Sequence, residues 1–331
     1  MTMSIKNILY FDRVYDDFKD LLIEHAPKEF NLWFWDEMND AERSDKIKQA
    51  DYLLVAARKF GKDIISKAEK ARFIQKTGIG VDNIDIEAAN QFNLPVCNTP
   101  GANATGVAEL TILLILALYR KLPYVNEATK NGKWLMWELR PSSYEMQGKM
   151  HGFIGFGNIG RETAKRSKAF GTDIIYYDKY RLSEEEEQKY GVKYASLEEV
   201  IRKSDIISLH VPLLPETKGL IGEKELNMMK RDAIIINVAR GGVIDENALY
   251  HALKSDTIAG AGIDVWKNEP AETDHPLFTL ENVIASPHIA AGTRDTLIRV
   301  LQGAFENIKR VDLGDPPRNI INEVKEARVL C

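Results

Sequence analysis

Residues 151–178, HGFIGFGNIGRETAKRSKAFGTDIIYYD, leave this chain few folds to choose from. An apolar run meets three glycines, Gly155, Gly157 and Gly160, spaced as G-x-G-x-x-G. A helix-length polar stretch, RETAKRSKAF, follows, and a second apolar run ends on Asp178. As a bare pattern the glycines say little, because any strand-to-helix turn can carry them. Between a strand and a helix they describe a dinucleotide-binding turn. The first two glycines permit a tight turn and close approach of backbone to a pyrophosphate. The third permits close helix–strand packing, and the helix N-terminus turns unbonded N–H groups toward the anion. Asp178 stands 18 residues after Gly160, where a carboxylate accepts from both ribose hydroxyls and repels a 2′-phosphate. NAD is therefore expected rather than NADP. Lys179 and Arg181 follow at once and either soften that preference or form a solvated charge cluster.

The rest of the chain alternates short apolar runs with helix-length amphipathic stretches, the pattern of βα units and a parallel sheet. The first part reads as strands at 7–12, 31–36, 51–57, 72–78 and 94–99, with helices in the gaps, for instance Ile64 to Lys70 and Ile86 to Gln91. A longer helix is expected from about Ala104 to Arg120, and residues 123–149 show weak periodicity. Strands resume at 151–157, 173–178, 205–212, 233–240, 258–266 and 282–288, and a last helix covers about Arg294 to Lys309. These later runs are almost continuously apolar, as when helices cover both faces of a sheet. At 331 residues the chain exceeds the ~250–300 at which a single core stops growing. Two doubly wound α/β domains are expected. Residues 104–292 form one, inserted into another built from 1–103 and 293–331.

Composition narrows the partners. A net charge of −5 carries no basic bias, which argues against nucleic acid and anionic membranes. Cys97 and Cys331 supply neither a disulfide framework nor a C-x-x-C pair, so a reducing, cytoplasmic setting is expected. The most apolar segment runs only from Leu110 to Tyr119, short of the ~20 residues of a membrane span. The N-terminus turns acidic before any apolar stretch reaches signal-peptide length.

Three polar residues stand just past expected strands, at the carboxyl edge where open α/β sheets place their ligand crevice. Arg240 closes AIIINVAR, Glu269 lies in VWKNEP and His288 in ASPHIAAG. Singly, each has a bland reading: a surface charge, a loop carboxylate, a packed imidazole. A metal reading of His288 lacks partners, since no His-x3-His, His-x-His or cysteine surrounds it. Behind a dinucleotide loop the three become a chemical proposal. Reducing a 2-oxo acid requires the carboxylate held, the carbonyl polarised and the emerging alkoxide protonated. The planar fork of Arg240 suits the first two tasks. His288 suits the third, with Glu269 orienting the ring and favouring the imidazolium.

The segments GFGNIG, VPLLPETKGLIG, INVARGGVIDENAL, AGIDVWKNEP and SPHIA, with TGIGVDNID and VCNTPGANATGVAEL earlier, lie in order between about residues 74 and 292. Together they resemble the NAD-dependent D-isomer-specific 2-hydroxyacid dehydrogenases. The resemblance implies a Rossmann-type nucleotide-binding domain inserted into a flavodoxin-like substrate domain, with the last helix returning to the latter. It implies Arg240, Glu269 and His288 as the catalytic set. It also implies a substrate carboxylate held by backbone N–H groups of Gly78, Ile79 and Gly80, with Asn103 nearby. Asp264 would hydrogen-bond the nicotinamide amide, and Val107 would wall its pocket. Asn158, Ile159, the stretch His210, Val211, Pro212, then Val238, Ala239 and Arg240, and Ala290 beside His288 would line the rest of the cofactor. Homodimers through the nucleotide-binding domain are usual in the family.

Departures bear on the substrate. Glu269 stands where the formate branch carries glutamine. The phosphoglycerate branch tends to carry Arg-Ser after the third strand, where this chain has Val55-Ala56-Ala57 before Arg58-Lys59, and it often has regulatory domains for which 331 residues leave no room. The expected activity is reduction of glyoxylate, hydroxypyruvate, pyruvate or a similar 2-oxo acid to the D-2-hydroxy acid by NADH. Phosphoglycerate dehydrogenase-like activity is one alternative. An NADH-sensing interaction protein, like the corepressors that share this fold, is another. Arg58, Lys59, Phe60 and Ile79 are candidates for selecting the substrate's side chain. His151, on a strand where relatives mostly carry an aliphatic residue, reads as structural. Trp134, Met136 and Trp137 read as packing at a dimer interface, with a cap over the cleft as the other reading.

Overall fold

The computed structural model describes residues 5–328; Cys331, named above, lies outside them. The chain divides into two compact units, Met1–Asn103 with Arg294–Cys331, and Ala104–Thr293. The first unit opens with β1 (Lys6–Tyr10), α1 (Asp16–His25), β2 (Phe30–Phe34), α2 (Asp40–Gln49), β3 (Tyr52–Val55), α3 (Lys62–Ile65), β4 (Phe73–Lys76), α4 (Ile86–Gln91) and β5 (Val96–Cys97). Its five strands are parallel in the order β2-β1-β3-β4-β5, the flavodoxin-like doubly wound order. Strand β3 and strand β4 are buried along their whole length, as a sheet covered on both faces requires. The strand expected over 51–57 stops at Val55 because the chain there leaves the ladder. The buried carboxylate of Asp12 collects the N–H groups of Ala56, Ala57 and Arg58 instead.

The second unit begins with α5 (Ala104–Tyr119) and α6 (Leu122–Lys130). It continues through β6 (Met150–Ile154), α7 (Asn158–Ala169), β7 (Asp173–Tyr177), α8 (Glu184–Tyr190), β8 (Lys193–Tyr194), α9 (Leu197–Lys203) and β9 (Ile206–Leu209). Then come α10 (Glu223–Met228), β10 (Ile234–Asn237), α11 (Glu246–Lys254), β11 (Gly260–Ile263) and β12 (Val283–Ala285). The seven strands are ordered β12-β11-β10-β9-β6-β7-β8. The direction of winding reverses between β6 and β9, so the ligand crevice of such a sheet lies outside the carboxyl ends of that pair. Helix α5 lies close over β11 because that strand is built from small residues. A Cβ on Gly262 would sit 3.1 Å from Leu114 Cβ.

Several elements of this unit are given no bounds in the sequence reading, among them α6, α8, α9 and β8. Helix α6 follows α5 after Lys121 takes a left-handed conformation (φ 51°). Helices α8 and α9 each start on a serine whose side chain and the glutamate three residues on form a reciprocal cap, Ser183 with Glu186 and Ser196 with Glu199. That S-x-x-E spacing is a helix start visible in the sequence. Strand β8 is a two-residue edge strand, too short for a periodicity to register.

Helix α12 (Arg294–Asp312) belongs to the first unit and runs three residues beyond its expected end. Its Leu301, Ala304, Phe305, Ile308 and Val311 join Ile8, Tyr10, Tyr52 and Phe73 in one core. Polar groups fix its place: buried Asn307 donates to Gln75 Oε1 at 2.8 Å and accepts from Arg318 N–H at 2.8 Å. The Tyr52 hydroxyl donates to Asp312 at 2.9 Å.

Candidate active site

The glycine turn joins β6 to α7. Helix α7 begins at Asn158, three residues earlier than expected, so Gly160 lies in its first turn. Gly155 has φ 93°, and a Cβ on it would sit 2.7 Å from the backbone of His210. The loop after β6 therefore rests directly on the loop after β9, and only glycine fits. A Cβ on Gly160 would meet Gly155 O at 2.7 Å; this third glycine makes room for the turn's own carbonyl. A Cβ on Gly157 would meet nothing within 4 Å, which leaves open space in front of the helix N-terminus. Gly157 provides no side-chain cap, so the first N–H groups of α7 have no intrahelical partner and suit an anion.

Asp178, just past β7, accepts from Phe156 N–H at 2.6 Å and Tyr180 N–H at 2.9 Å. These two bonds hold the carboxylate beside the glycine turn. The neighbouring cations are engaged elsewhere: Arg181 pairs with Glu187 at 2.9 Å and Lys179 with Glu216 at 3.4 Å. Of the two readings of Lys179 and Arg181, the charge cluster is the one this geometry favours. Asp178→Ala is expected to raise the Kd for NADH by about tenfold while changing that for NADPH far less. Fluorescence titration with both cofactors checks this, and an unchanged ratio would remove Asp178 from the ribose site.

Two further loops of the same unit bring His288 and Glu269 together. His288 Nδ1 lies 2.7 Å from Glu269 Oε2, with both side chains partly open to solvent. Glu269 Oε1 accepts from Trp266 N–H at 3.0 Å. His288 itself is left-handed, φ 53°, an uncommon state for a non-glycine residue that costs about 1–3 kcal/mol unless its surroundings impose it. Asp264 imposes it. Its carbonyl accepts from His288 N–H at 2.7 Å. Its buried carboxylate accepts from the Ser286 hydroxyl at 2.6 Å and from Ile289 and Ala290 N–H groups at 2.9 Å each. The resemblance places Asp264 at the nicotinamide amide; in this geometry it holds the histidine turn. Arg240, half-buried after β10, donates to Ala239 O at 2.8 Å, and Asn237 Nδ2 braces Arg240 O at 3.1 Å.

Val107 and Ala290 fall in one apolar cluster with Val238, and Ile159 packs against it. These residues are far apart in sequence and meet beside the cofactor turn. Val211 lies against Gly155, its Cγ1 2.9 Å from where a Cβ would be. Pro212 is exposed and Ala239 buried. In the first unit, the carbonyls of Gly78 and Ile79 accept from Thr99 and Asn98. The peptide N–H groups of Ile79 and Gly80 are what that turn has left to offer. Asn103 Oδ1 is buried without a hydrogen-bond partner.

His151 is wholly buried and does more than pack against Phe153. Its two nitrogens meet Ser167 Oγ at 2.8 Å and Ser208 Oγ at 2.9 Å, and Ser208 Oγ also meets His210 Nε2 at 2.9 Å. One hydroxyl thus stands between two imidazoles; a ring that accepts its proton has to be neutral there. Burial pushes His210 down to about 3, and burial together with His210 holds His151 well below its ordinary range. In the unfolded chain both rings take protons below about pH 6.5, so the unfolded state gains protons there that the folded state lacks. Their contribution to stability is complete above about pH 6.5 and is lost as pH falls toward 3. Urea midpoints should drop between about pH 7 and pH 5, and drop less in His151→Leu. Equal slopes in the two proteins would contradict this.

Residues 112–290 match the family model described as D-isomer specific 2-hydroxyacid dehydrogenase, NAD binding domain. The chain is similar to the D-3-phosphoglycerate dehydrogenase of Methanocaldococcus jannaschii, 44% identical over 283 residues, which is 85% of this chain and 53% of that one. It thus spans about half the length of that relative. It is also similar to the glyoxylate reductase of Aeropyrum pernix, 38% identical over 319 residues, 92% of this chain and 94% of that one. Among solved structures, the NAD-complexed D-isomer specific 2-hydroxyacid dehydrogenase of Lactobacillus delbrueckii ssp. bulgaricus matches with a TM-score of 0.81 at 25% identity, covering 96% of this chain and 100% of that one.

Proposed function

From the premise that the chain belongs to the D-isomer specific 2-hydroxyacid dehydrogenase family, we propose that it reduces small 2-oxo acids of the glyoxylate and hydroxypyruvate type to D-2-hydroxy acids with NADH. The observation that carries this reading is the 2.7 Å pair of His288 and Glu269 in the same unit as a complete dinucleotide turn. The residues present fit NAD: an open glycine turn, an uncapped helix start, and Asp178 as ribose acceptor. When bound, the nicotinamide supplies the hydride.

The chain's own residues supply the rest. Arg240 holds the substrate carboxylate and polarises the carbonyl to be reduced. With Nδ1 facing Glu269, His288 has Nε2 left for the substrate, and its proton goes to the carbonyl oxygen as that oxygen becomes a hydroxyl. Backbone N–H groups of Gly78–Gly80, with Asn103, are proposed as further carboxylate ligands, supported by the carbonyls of that turn being already committed. Phosphoglycerate oxidation is the second reading, favoured by the 44% identity to a phosphoglycerate dehydrogenase. NADH oxidation against glyoxylate, hydroxypyruvate, pyruvate and phosphohydroxypyruvate tests both. Turnover of the unphosphorylated acids supports the first reading, turnover of phosphohydroxypyruvate alone the second, and none at all removes both.

The same proposal includes a homodimer in the cytoplasm. Trp134, 77% exposed, and Met136 line a groove with Leu113, Leu116 and Val125 of the nucleotide-binding unit, and Trp137 is 67% exposed. Exposed aromatics of this size mark an interaction surface. Among the described residues no helix is long and apolar enough to cross a membrane, and buried Cys97 is unbridged. Light scattering should give twice the chain mass, and Trp134→Glu should halve it.

A further inference from the structure

We propose that Trp266 is the positioning residue that fixes Arg240, Glu269 and His288 in one geometry, held in place by Glu246 and His275. The inference rests on the catalytic reading above. Trp266 meets Glu269 itself, the residue after Arg240 and the residue two before His288, each through a different part. On the Arg240 side, a Cβ on the next residue, Gly241, would sit 1.9 Å from Trp266 O, so the backbone after Arg240 packs directly against the tryptophan backbone. On the Glu269 side, Trp266 N–H donates to Oε1 at 3.0 Å, leaving Oε2 for the histidine. On the His288 side, the indole N–H donates to Ser286 O at 3.0 Å, two residues before the imidazole. Three loops that leave three different strands are therefore tied at one residue, itself only 6% exposed.

The anchor of Trp266 is equally explicit. Its ring meets His275 and Phe278 edge-on, at 5.2 and 4.9 Å between centroids. Glu246, the first residue of α11, accepts from Lys267 N–H at 2.6 Å and faces His275 Nε2 at 3.2 Å. His275 Nδ1 accepts from Leu277 N–H at 3.3 Å, so the ring proton is on Nε2 and donates to Glu246. One carboxylate on a rigid helix thus clamps both ends of the loop that carries Glu269. None of Trp266, Glu246 and His275 needs to touch substrate to act. Displacing a reacting group by about 1 Å costs on the order of 100-fold in rate.

A double-mutant cycle separates positioning from general packing. Trp266→Phe keeps an aromatic ring and removes the indole N–H. In otherwise unaltered protein it should lower kcat for 2-oxo acid reduction about tenfold, with Kd for NADH within about twofold. In a His288→Asn background the same change should cost less than about twofold, because the group it positions is already gone. Glu246→Ala gives the same cycle through the clamp and serves if Trp266→Phe does not fold. Full activity in both variants, or equal losses in both backgrounds, overturns the proposal. If instead His288→Asn turns over normally, the catalytic reading fails and not the positioning one.

Discussion

Replacing His288 with asparagine should slow 2-oxo acid reduction by roughly 10³-fold and leave the Kd for NADH within about twofold. Asparagine is the informative substitution because residue 288 is left-handed (φ 53°), and asparagine tolerates that conformation better than alanine does. The three bonds that the Asp264 carboxylate makes to residues 286–290 involve no atom of the imidazole. The turn should therefore survive, and the loss should report the missing proton donor. Glu269→Gln should act on the same atom differently. It keeps a hydrogen-bond partner at Nδ1 and removes the carboxylate that orients the ring. The rate of reduction should fall about tenfold, and by less than about twofold in a His288→Asn background. Equal losses in both backgrounds would break the link between the two residues.

Arg240→Gln should cost more, about 10⁴-fold in kcat/KM, because one side chain is assigned both the carboxylate and the carbonyl. Arg240→Lys keeps the charge and lacks the fork; it should recover only part of that, remaining about 10²-fold down. The two numbers separate charge from geometry. Equal rates for lysine and arginine would mean that a point charge is enough. Glutamine equal to arginine would take residue 240 out of the site. Neither change should alter urea midpoints much, since Arg240 is half-buried at a loop and its backbone is braced by Asn237.

Much of this arrangement is legible in the sequence, for physical reasons. The glycine turn is readable because each glycine answers a local demand: at Gly155 and Gly160 a Cβ would collide with backbone. Parallel strands buried on both faces leave continuous apolar runs, so β6, β9 and β10 are found from composition alone. Their ends are not, because apolar residues continue past the last ladder bond into buried loops. Val265 and Trp266 read as strand and lie beyond it. For Asp264 the family resemblance points only to a ligand contact. Its three bonds to the histidine turn depend on a backbone path from 286 to 290 that no spacing rule encodes. Trp266 carries no signal in the sequence for the same reason: its importance lies in which three loops converge on it. His151 reads as structural, and it is wholly buried. The shared serine and its reach to His210 depend on the register of β6 with β9, which pairs Phe153 with Ser208.

The central claim is that a hydride passes from NADH to the carbonyl carbon of a 2-oxo acid, to give one enantiomer. Incubating the full chain with hydroxypyruvate and NADH deuterated at C4 on both faces, and analysing the product by NMR and chiral chromatography, tests this directly. The account predicts D-glycerate carrying one deuterium at C2. Glycerate that is unlabelled, racemic or of the L form, or no glycerate at all, would contradict it.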